Sequence, residues 1–391
     1  CFFLLVLFLF SGLPSLAPLI SAYYFSYYSS NRLPFLKLSL VKFYAFSFYS
    51  KNRQNKSFLS PLLKLSYFFN IMLKEIKYEI GFERKYFCMN SLLDTTCCQL
   101  CPRTCKVNRT VSTGFCGCTN EVKAARAALH LWEEPCISST QGSGTVFFSG
   151  CTLKCCFCQN SQISCENFGK TLSVSQLSEI FLKLQEEGAH NLNLVTPTQY
   201  LPFIIEALDN IKKLLSIPVI YNCGGYERPE VISLLKDYID IYMPDLKYYD
   251  ASLSFSYSKA KDYFSFASKA IQKMIEQTGV PTFNKEGILQ KGGLIRHLVL
   301  PGCKEDSMKL LEWMSETLPK DSFLLSLLSQ YTPVYKASMY PKINRRVTTY
   351  EYNKVLDKAI SLGLTQGFMQ ERSSASSAYP PSFQLEGLDI E

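Results

Sequence analysis

Residues 148–160 read FSGCTLKCCFCQN, and this short stretch places Cys151, Cys155 and Cys158 in a C-x3-C-x2-C array. Cysteine thiolates hold iron–sulfur clusters, and a cubane cluster takes a full set of four. Three cysteines on one loop therefore leave one iron without a protein ligand, and an open metal position is typical of a reactive site rather than a structural one. The alternative interpretations of this array are a zinc knuckle and a chance grouping of cysteines.

The chain downstream of Gly144 alternates between two sequence patterns. Short runs rich in Val, Ile and Phe are typical of buried strands, and the stretches between them have the spacing of amphipathic helices. Strands are predicted at residues 145–149, 192–196, 218–222, 239–243, 294–300 and 323–329. Helices are predicted at residues 173–187, 199–215, 230–238, 259–277, 306–318 and 349–362, and the first of them opens with a capping-box signature.

This alternation predicts an α/β fold, because parallel strands need helical crossovers between them. Six strand–helix units are fewer than the eight of a complete TIM barrel, so the prediction is a partial (β/α)6 TIM-like barrel. Active sites in such folds lie at the carboxyl ends of the strands. The cysteine array follows the first strand, and the same edge is predicted to receive residues 196–198, 222–225, 245–247, 301–302 and 330–331.

The charge distribution gives no sign of nucleic-acid binding. The net charge of +8 comes mainly from residues 1–71, which contain seven Lys or Arg and no Asp or Glu. The rest of the chain is nearly neutral and lacks the basic footprint of a DNA- or RNA-binding protein. Sixteen cysteines bunch at short intervals, which favours metal or cluster binding in a reducing compartment, so a cytoplasmic protein is predicted.

Residues 1–71 differ in composition from the rest of the chain. Three interpretations remain open: translated non-coding sequence upstream of Met72, a signal or membrane anchor, and a folded part of the protein. The stretch 1–20 is long enough to span a bilayer, although Ser11, Gly12, Pro14 and Pro18 interrupt it. It also lacks the basic first region of a signal peptide. The alternative localisation is therefore a protein anchored to the membrane through residues 1–20.

A second group of cysteines precedes the predicted barrel. Cys98, Cys101, Cys105 and Cys116 are separated by spacings that suit an all-thiolate zinc site. The same four cysteines suit an auxiliary iron–sulfur cluster, and a site without metal is the third possibility. The sequence therefore predicts a possible second metal without choosing between zinc and iron.

The cysteine array and its surroundings resemble the radical S-adenosylmethionine (radical SAM) superfamily. The three cysteines after a first strand, with Phe157 directly before the third, match the superfamily signature. Residues 142–150, 192–198, 221–226, 243–247, 296–302 and 329–331 resemble the branch that contains the pyruvate formate-lyase activating enzyme. The resemblance covers roughly residues 98–370. It implies an oxidoreductase with a [4Fe–4S] cluster on Cys151, Cys155 and Cys158.

The resemblance also implies the chemistry and the partners. The cluster would cleave S-adenosyl-L-methionine reductively to a 5′-deoxyadenosyl radical, which abstracts hydrogen from a substrate. A one-electron donor such as flavodoxin or ferredoxin is implied, and a glycyl radical enzyme is the narrower candidate partner. The cofactor-binding residues predicted by resemblance and position are Phe157, Thr196, Thr198, Asn222, Gly224, Asp245 and Lys247. No catalytic residue is assigned.

One motif departs from the wider superfamily. Many members carry a Gly-Gly-Glu run after the second strand, where this chain reads Thr196-Pro197-Thr198 and offers no carboxylate. A metal-binding or iron–sulfur redox protein without radical chemistry is therefore the alternative function. The predicted organisation is an extension at 1–71 outside the fold, a Cys-rich subdomain at 72–140, a radical SAM core at 141–371 and a flexible tail at 372–391.

Overall fold

The computed structural model describes residues 92–370 and 381–390, which fall within one compact unit. Its centre is a ten-stranded sheet with the strand order β10-β9-β8-β6-β5-β4-β2-β1-β3, and β7 pairs with β8. The strands are β1 (Val122–His130), β2 (Ser143–Phe148), β3 (Lys170–Leu172), β4 (Leu192–Val195), β5 (Val219–Cys223), β6 (Ile241–Pro244), β7 (Thr282–Phe283), β8 (Leu289–Leu298), β9 (Phe323–Leu328) and β10 (Gly367–Met369). The predictions for residues 1–71 lie outside the described residues.

The predicted α/β architecture is confirmed. The six predicted strands are β2, β4, β5, β6, β8 and β9, and neighbouring members of this set pair in parallel. β10 adds a further parallel strand at one edge, and β1 and β3 are antiparallel at the other. β1 was not predicted because its Ala-rich sequence lacks the branched and aromatic residues typical of strands. Pairing with β2 makes it a strand.

The helices connect successive strands. They are α1 (Pro135–Ser138), α2 (Ser161–Ser164), α3 (Val174–Glu186), α4 (Leu201–Ile211), α5 (Pro229–Leu234), α6 (Ala251–Ser258), α7 (Tyr263–Thr278), α8 (Lys304–Thr317) and α9 (Thr349–Ser361). The predicted capping box of α3 is present: Gln176 N donates to Ser173 Oγ at 3.1 Å, and Ser173 N donates to Gln176 Oε1 at 3.0 Å. These two bonds satisfy backbone donors that the first turn leaves unpaired.

The two faces of the sheet have different cores. On one face, strand residues such as Tyr221 and Ile295 join the apolar sides of the long helices. On the other face, alternate residues such as Ile220, Met243 and Leu294 pack with the short helix α1. Side chains two positions apart on a strand point to the same face of the sheet. The residues two positions after Ile220, Met243 and Leu294 therefore lie on the same face as α1, which we call the inner face. Those residues carry the polar groups described below.

Two segments at the ends of the described chain pack on this core. β1 lies within the predicted subdomain 72–140, so the main sheet crosses the predicted boundary at 140/141. In the region predicted as a flexible tail, residues 381–390 pack along β1: Ala127 N donates to Glu386 O at 2.9 Å, and Leu388 is buried. Apolar burial and backbone hydrogen bonds explain this packing. In the described ranges, no helix is long and apolar enough to cross a bilayer.

Candidate active site

The cysteine array forms a tight loop between β2 and α2. Gly150, which precedes it, has φ +79, a left-handed conformation that favours glycine. A Cβ at Gly150 would also collide with the Sγ of Cys118, so this position has no room for a side chain. Cys155 is buried, while Cys151 and Cys158 are partly buried. The loop that carries the three thiols therefore lies between the carboxyl end of β2 and the segment that contains Cys118.

The three thiols lie close enough to affect one another electrostatically. Burial, together with the neighbouring thiolates of the array, raises the pKa of Cys151 to about 11 and that of Cys158 to about 12. Within residues 92–370 and 381–390, no three His, Cys, Asp or Glu side chains converge as a single metal ion would need. A cubane makes no such demand, because each cysteine binds a different iron. The donor set therefore fits a cluster.

Each sulfur of the array also accepts a hydrogen bond. Ser258 Oγ donates to Cys155 Sγ at 2.9 Å, Ser164 Oγ donates to Cys158 Sγ at 3.2 Å, and Leu153 N donates to Cys151 Sγ at 3.4 Å. Such donors stabilise negative charge on sulfur, and hydrogen bonds of this kind tune iron–sulfur clusters. Neither serine was predicted, because neither belongs to the C-x3-C-x2-C spacing.

A buried ionic network lies beside the array on the inner face of the sheet. Arg296 is its centre: its guanidinium donates to Asp245 Oδ1 at 2.9 Å, to Asn222 Oδ1 at 2.7 Å and to Glu133 Oε2 at 3.2 Å. Lys247 Nζ donates to Asp245 Oδ2 at 2.6 Å. The predicted residues Asn222, Asp245 and Lys247 are therefore brought together, with Glu133 as a member that the sequence did not suggest.

The balance of charge in this network decides the protonation of Asp245. Burial alone would raise the pKa of its carboxyl, but Arg296 and Lys247 outweigh burial and hold that pKa below its usual value. Asp245 in turn outweighs the burial of Lys247 and raises the pKa of the ammonium. Burial raises the pKa of Cys151 and of Cys155, and Lys247 offsets part of that rise, so a positive charge lies near the thiols.

Two glycines bring the ends of β5 and β6 against the cysteine loop. A Cβ on the predicted Gly224 would lie 2.8 Å from Leu153 Cδ1, within the array, and 3.7 Å from Lys247 Cε. Gly225 has φ +77, and a Cβ there would collide with the carbonyl oxygen of Asp245. Side chains at these positions would separate the strand ends from the loop.

The end of β4 follows a different arrangement. Thr196 has φ 57, which is strained for a β-branched residue and is seen at functional sites. Thr198 is buried, and its hydroxyl donates to Glu227 Oε1 at 2.8 Å, while Tyr221 Oη donates to Glu227 Oε2 at 3.2 Å. The hydroxyl of Thr198 is thus engaged by protein. Folding also brings a carboxylate, Glu227, to an edge where the sequence motif has none.

Glu227 should make stability depend on pH. Burial raises its pKa from 4.5 to about 8, so the folded protein favours the neutral carboxyl. The stability that this provides is fully present below pH 4.5 and is lost as the pH rises through 8. We expect Glu227→Gln to be similar to wild type at pH 5 and more stable at pH 8, by up to about 5 kcal/mol. Urea denaturation across this range measures the difference. The exposed variant Glu179→Gln is the control, and an equal pH profile for Glu227→Gln and wild type would contradict the expectation.

Phe157 lies inside the loop rather than on its surface. It is buried and meets Tyr257 and Tyr331 in edge-on contacts, with ring centroids 6.4 and 5.6 Å apart. These contacts pack the array against α6 and the residues after β9. A direct role of Phe157 in binding a cofactor stays a prediction.

The second cysteine group lies next to the first loop. Burial, Cys116 and Cys105 raise the pKa of Cys101, so these three thiols lie near one another. Cys118 also contacts the group, because its thiol donates to the backbone oxygen of Cys116 at 3.7 Å. Cys98 is placed by backbone bonds with Val107 and Lys106. A second metal on Cys98, Cys101, Cys105 and Cys116 stays a prediction, and metal analysis of anaerobically purified protein tests it.

The sequence motifs left out one residue that holds the strand ends together. Gln199 Nε2 donates to the carbonyl oxygens of Ser149 at 3.0 Å, Gly150 at 3.2 Å and Thr196 at 2.7 Å. It therefore joins the start of the cysteine loop to the end of β4. No sequence pattern indicated it, because its partners are backbone carbonyl oxygens that only the fold brings together.

Comparisons with known proteins show the family of this chain. The family model described as the Radical SAM superfamily matches residues 145–312, which include the array and the ends of β2, β4, β5, β6 and β8. A protein of Methanocaldococcus jannaschii, named Uncharacterized protein MJ0674, is 34% identical over 275 residues, covering 67% of this chain and 74% of that protein. The chain belongs to the radical SAM superfamily. Membership implies a [4Fe–4S] cluster and S-adenosylmethionine as cofactors.

One solved structure is also similar. The crystal structure of SuiB from Streptococcus suis, bound to the precursor peptide SuiA, matches with a TM-score of 0.39 and 15% identity. The match covers 56% of this chain and 46% of that chain. This chain therefore spans less than half the length of the solved protein.

Proposed function

We propose that this protein is a radical SAM enzyme whose cluster is bound by Cys151, Cys155 and Cys158. The observation that carries the proposal is the loop itself: three mutually interacting thiols, each accepting a hydrogen bond, directly after the first parallel strand. When bound, the cluster supplies one electron for the cleavage of S-adenosylmethionine to a 5′-deoxyadenosyl radical. Three thiolates leave one iron for the cofactor.

The strand-end residues supply charge and position. Lys247 lies near the thiols and offers a cation to a carboxylate, and Asp245 holds its ammonium in place. Gly224 lets the end of β5 pack closely against the array, and Asn222 is oriented by Arg296. We infer that this edge binds the polar end of S-adenosylmethionine. The buried walls around it exclude water from a reactive radical.

The test is an assay for 5′-deoxyadenosine. Protein reconstituted anaerobically with iron and sulfide is reduced with dithionite and incubated with S-adenosylmethionine. We expect 5′-deoxyadenosine and methionine to form. A protein that binds a cluster but forms no 5′-deoxyadenosine would instead be an iron–sulfur redox protein.

The narrower proposal is that the substrate is a glycine residue of a glycyl radical enzyme. The motif resemblance to the activating-enzyme branch supports it. A flavodoxin or ferredoxin would supply the electron. Incubating the reduced enzyme with a candidate partner and recording the EPR spectrum tests the proposal, because a glycyl radical gives a characteristic doublet.

A further inference from the structure

A line of buried hydroxyl groups leads to one sulfur of the cysteine array. Tyr248 and Ser258 are fully buried, and their hydroxyl oxygens lie 2.7 Å apart. Ser258 Oγ in turn lies 2.9 Å from Cys155 Sγ. A cluster-bound thiolate has no proton, so Ser258 must donate to it. The single hydroxyl proton of Ser258 is then engaged by Cys155, so the hydroxyl of Tyr248 must donate to Ser258.

A second serine of the same helix shows that this geometry is not the default. Ser254 and Ser258 both lie in α6, and both are buried. Ser254 Oγ donates to the backbone oxygen of Ala251 at 3.1 Å, which is the usual local bond of a helical serine. Ser258 donates away from the helix instead, to a residue 103 positions earlier in the chain.

The backbone around Ser258 is tied to the cysteine loop at two points. Arg103 Nη2 donates to Ser258 O at 3.0 Å, and Arg103 Nε donates to Thr152 O at 2.9 Å. Cys156 N donates to Tyr257 O at 2.8 Å. The guanidinium thus occupies the C-terminal end of α6, where a cation is favourable, and joins it to the loop. These bonds hold Ser258 at a constant distance from Cys155.

We propose that Ser258, supported by Tyr248, is a positioning residue that raises the reduction potential of the cluster through Cys155. The proposal rests on the proposed cluster site. Reduction adds negative charge to the cluster, and a hydrogen bond to a ligand sulfur stabilises the reduced form more than the oxidised form. The bond therefore favours acceptance of the electron that S-adenosylmethionine cleavage requires.

The test is an EPR-monitored redox titration of reconstituted protein without S-adenosylmethionine. We expect Ser258→Ala to bind the same amount of iron as wild type. Its equilibrium constant for cluster reduction should fall about tenfold, which is about 59 mV for a one-electron couple. Ser254→Ala is the matched control, since it removes a buried hydroxyl of the same helix that does not contact sulfur, and its potential should equal that of wild type.

A potential for Ser258→Ala equal to that of Ser254→Ala would overturn the inference. If Ser258→Ala binds no cluster, Tyr248→Phe decides, because it removes only the more distant hydroxyl. A shift in the same direction of about twofold supports the inference, and an unchanged potential overturns it. If wild-type protein binds no cluster at all, the proposed function itself fails, which is a distinct result.

Discussion

Cys155→Ala should abolish the formation of 5′-deoxyadenosine. Cys155 is the central and most buried thiol of the array, and it accepts the hydrogen bond from Ser258. Loss of an outer hydrogen-bond partner of a metal ligand already costs about 10–100-fold in affinity or activity, and loss of a ligand should cost more. We therefore expect a decrease of at least about 100-fold in the rate, measured with reduced, reconstituted protein.

Cys156→Ala provides the matched control for this experiment. Cys156 is the next residue, is buried and carries a thiol, but it contacts its surroundings through backbone bonds to Tyr257 and Lys336. We expect it to retain the cluster and the activity. The EPR change on adding S-adenosylmethionine should report the array alone, even if the second cysteine group binds iron. Equal losses in the two variants would contradict the ligand assignment.

Arg296→Ala should destabilise the fold strongly. Its guanidinium pairs with Asp245 and Glu133, and the side chains of all three are at least three-quarters buried. Removing one partner of a buried ion pair leaves an uncompensated charge, which costs about 3–5 kcal/mol. Lys247 still pairs with Asp245 in the variant, so the charges left uncompensated are mainly those of Glu133 and of Glu134, whose carboxylate Arg296 also stabilises. We expect the free energy of unfolding to fall by this amount in urea denaturation.

The pH dependence of this loss identifies its cause. Burial raises the pKa of Glu133, and Arg296 opposes that effect, so removal of Arg296 should raise this pKa further. Lower pH then protonates the carboxyl and reduces the penalty, so the loss of stability should be smaller at pH 5 than at pH 8. Lys273→Ala, which breaks the more exposed pair with Glu276, should cost no more than about 1 kcal/mol. A loss independent of pH would contradict the assignment to these buried carboxyls.

Most of the barrel could be predicted from local sequence, and its edges could not. The six central strands and the capping box at Ser173 follow from short-range patterns of apolar and capping residues. β1 was missed because its Ala-rich sequence is not typical of a strand, and it becomes one by pairing with β2. The tail was predicted to be flexible because it is rich in Ser and Pro and has no helical period, and local sequence could not show that residues 381–390 bond to a strand more than two hundred residues away.

The candidate site divides in the same way. Cysteine spacing indicated the array, and strand order indicated that Asn222, Gly224, Asp245 and Lys247 would lie at one edge, because parallel strands end on the same side. Thr198 was predicted on the same grounds, but its hydroxyl is engaged by Glu227. Position along a strand end predicts that a residue is near the site, whereas the direction of its side chain depends on what packs around it.

Local sequence is enough to predict the spacing of three thiols on one loop and the alternation of strands and helices, since both depend on neighbours within a few residues. Which groups touch those thiols and charges depends on tertiary packing. Ser258 reaches Cys155 across 103 residues and Arg296 reaches Glu133 across 163, and the burial that governs the pKa of Glu227 exists only after folding. Hydrogen bonds and desolvation depend on proximity in space, which local patterns do not encode.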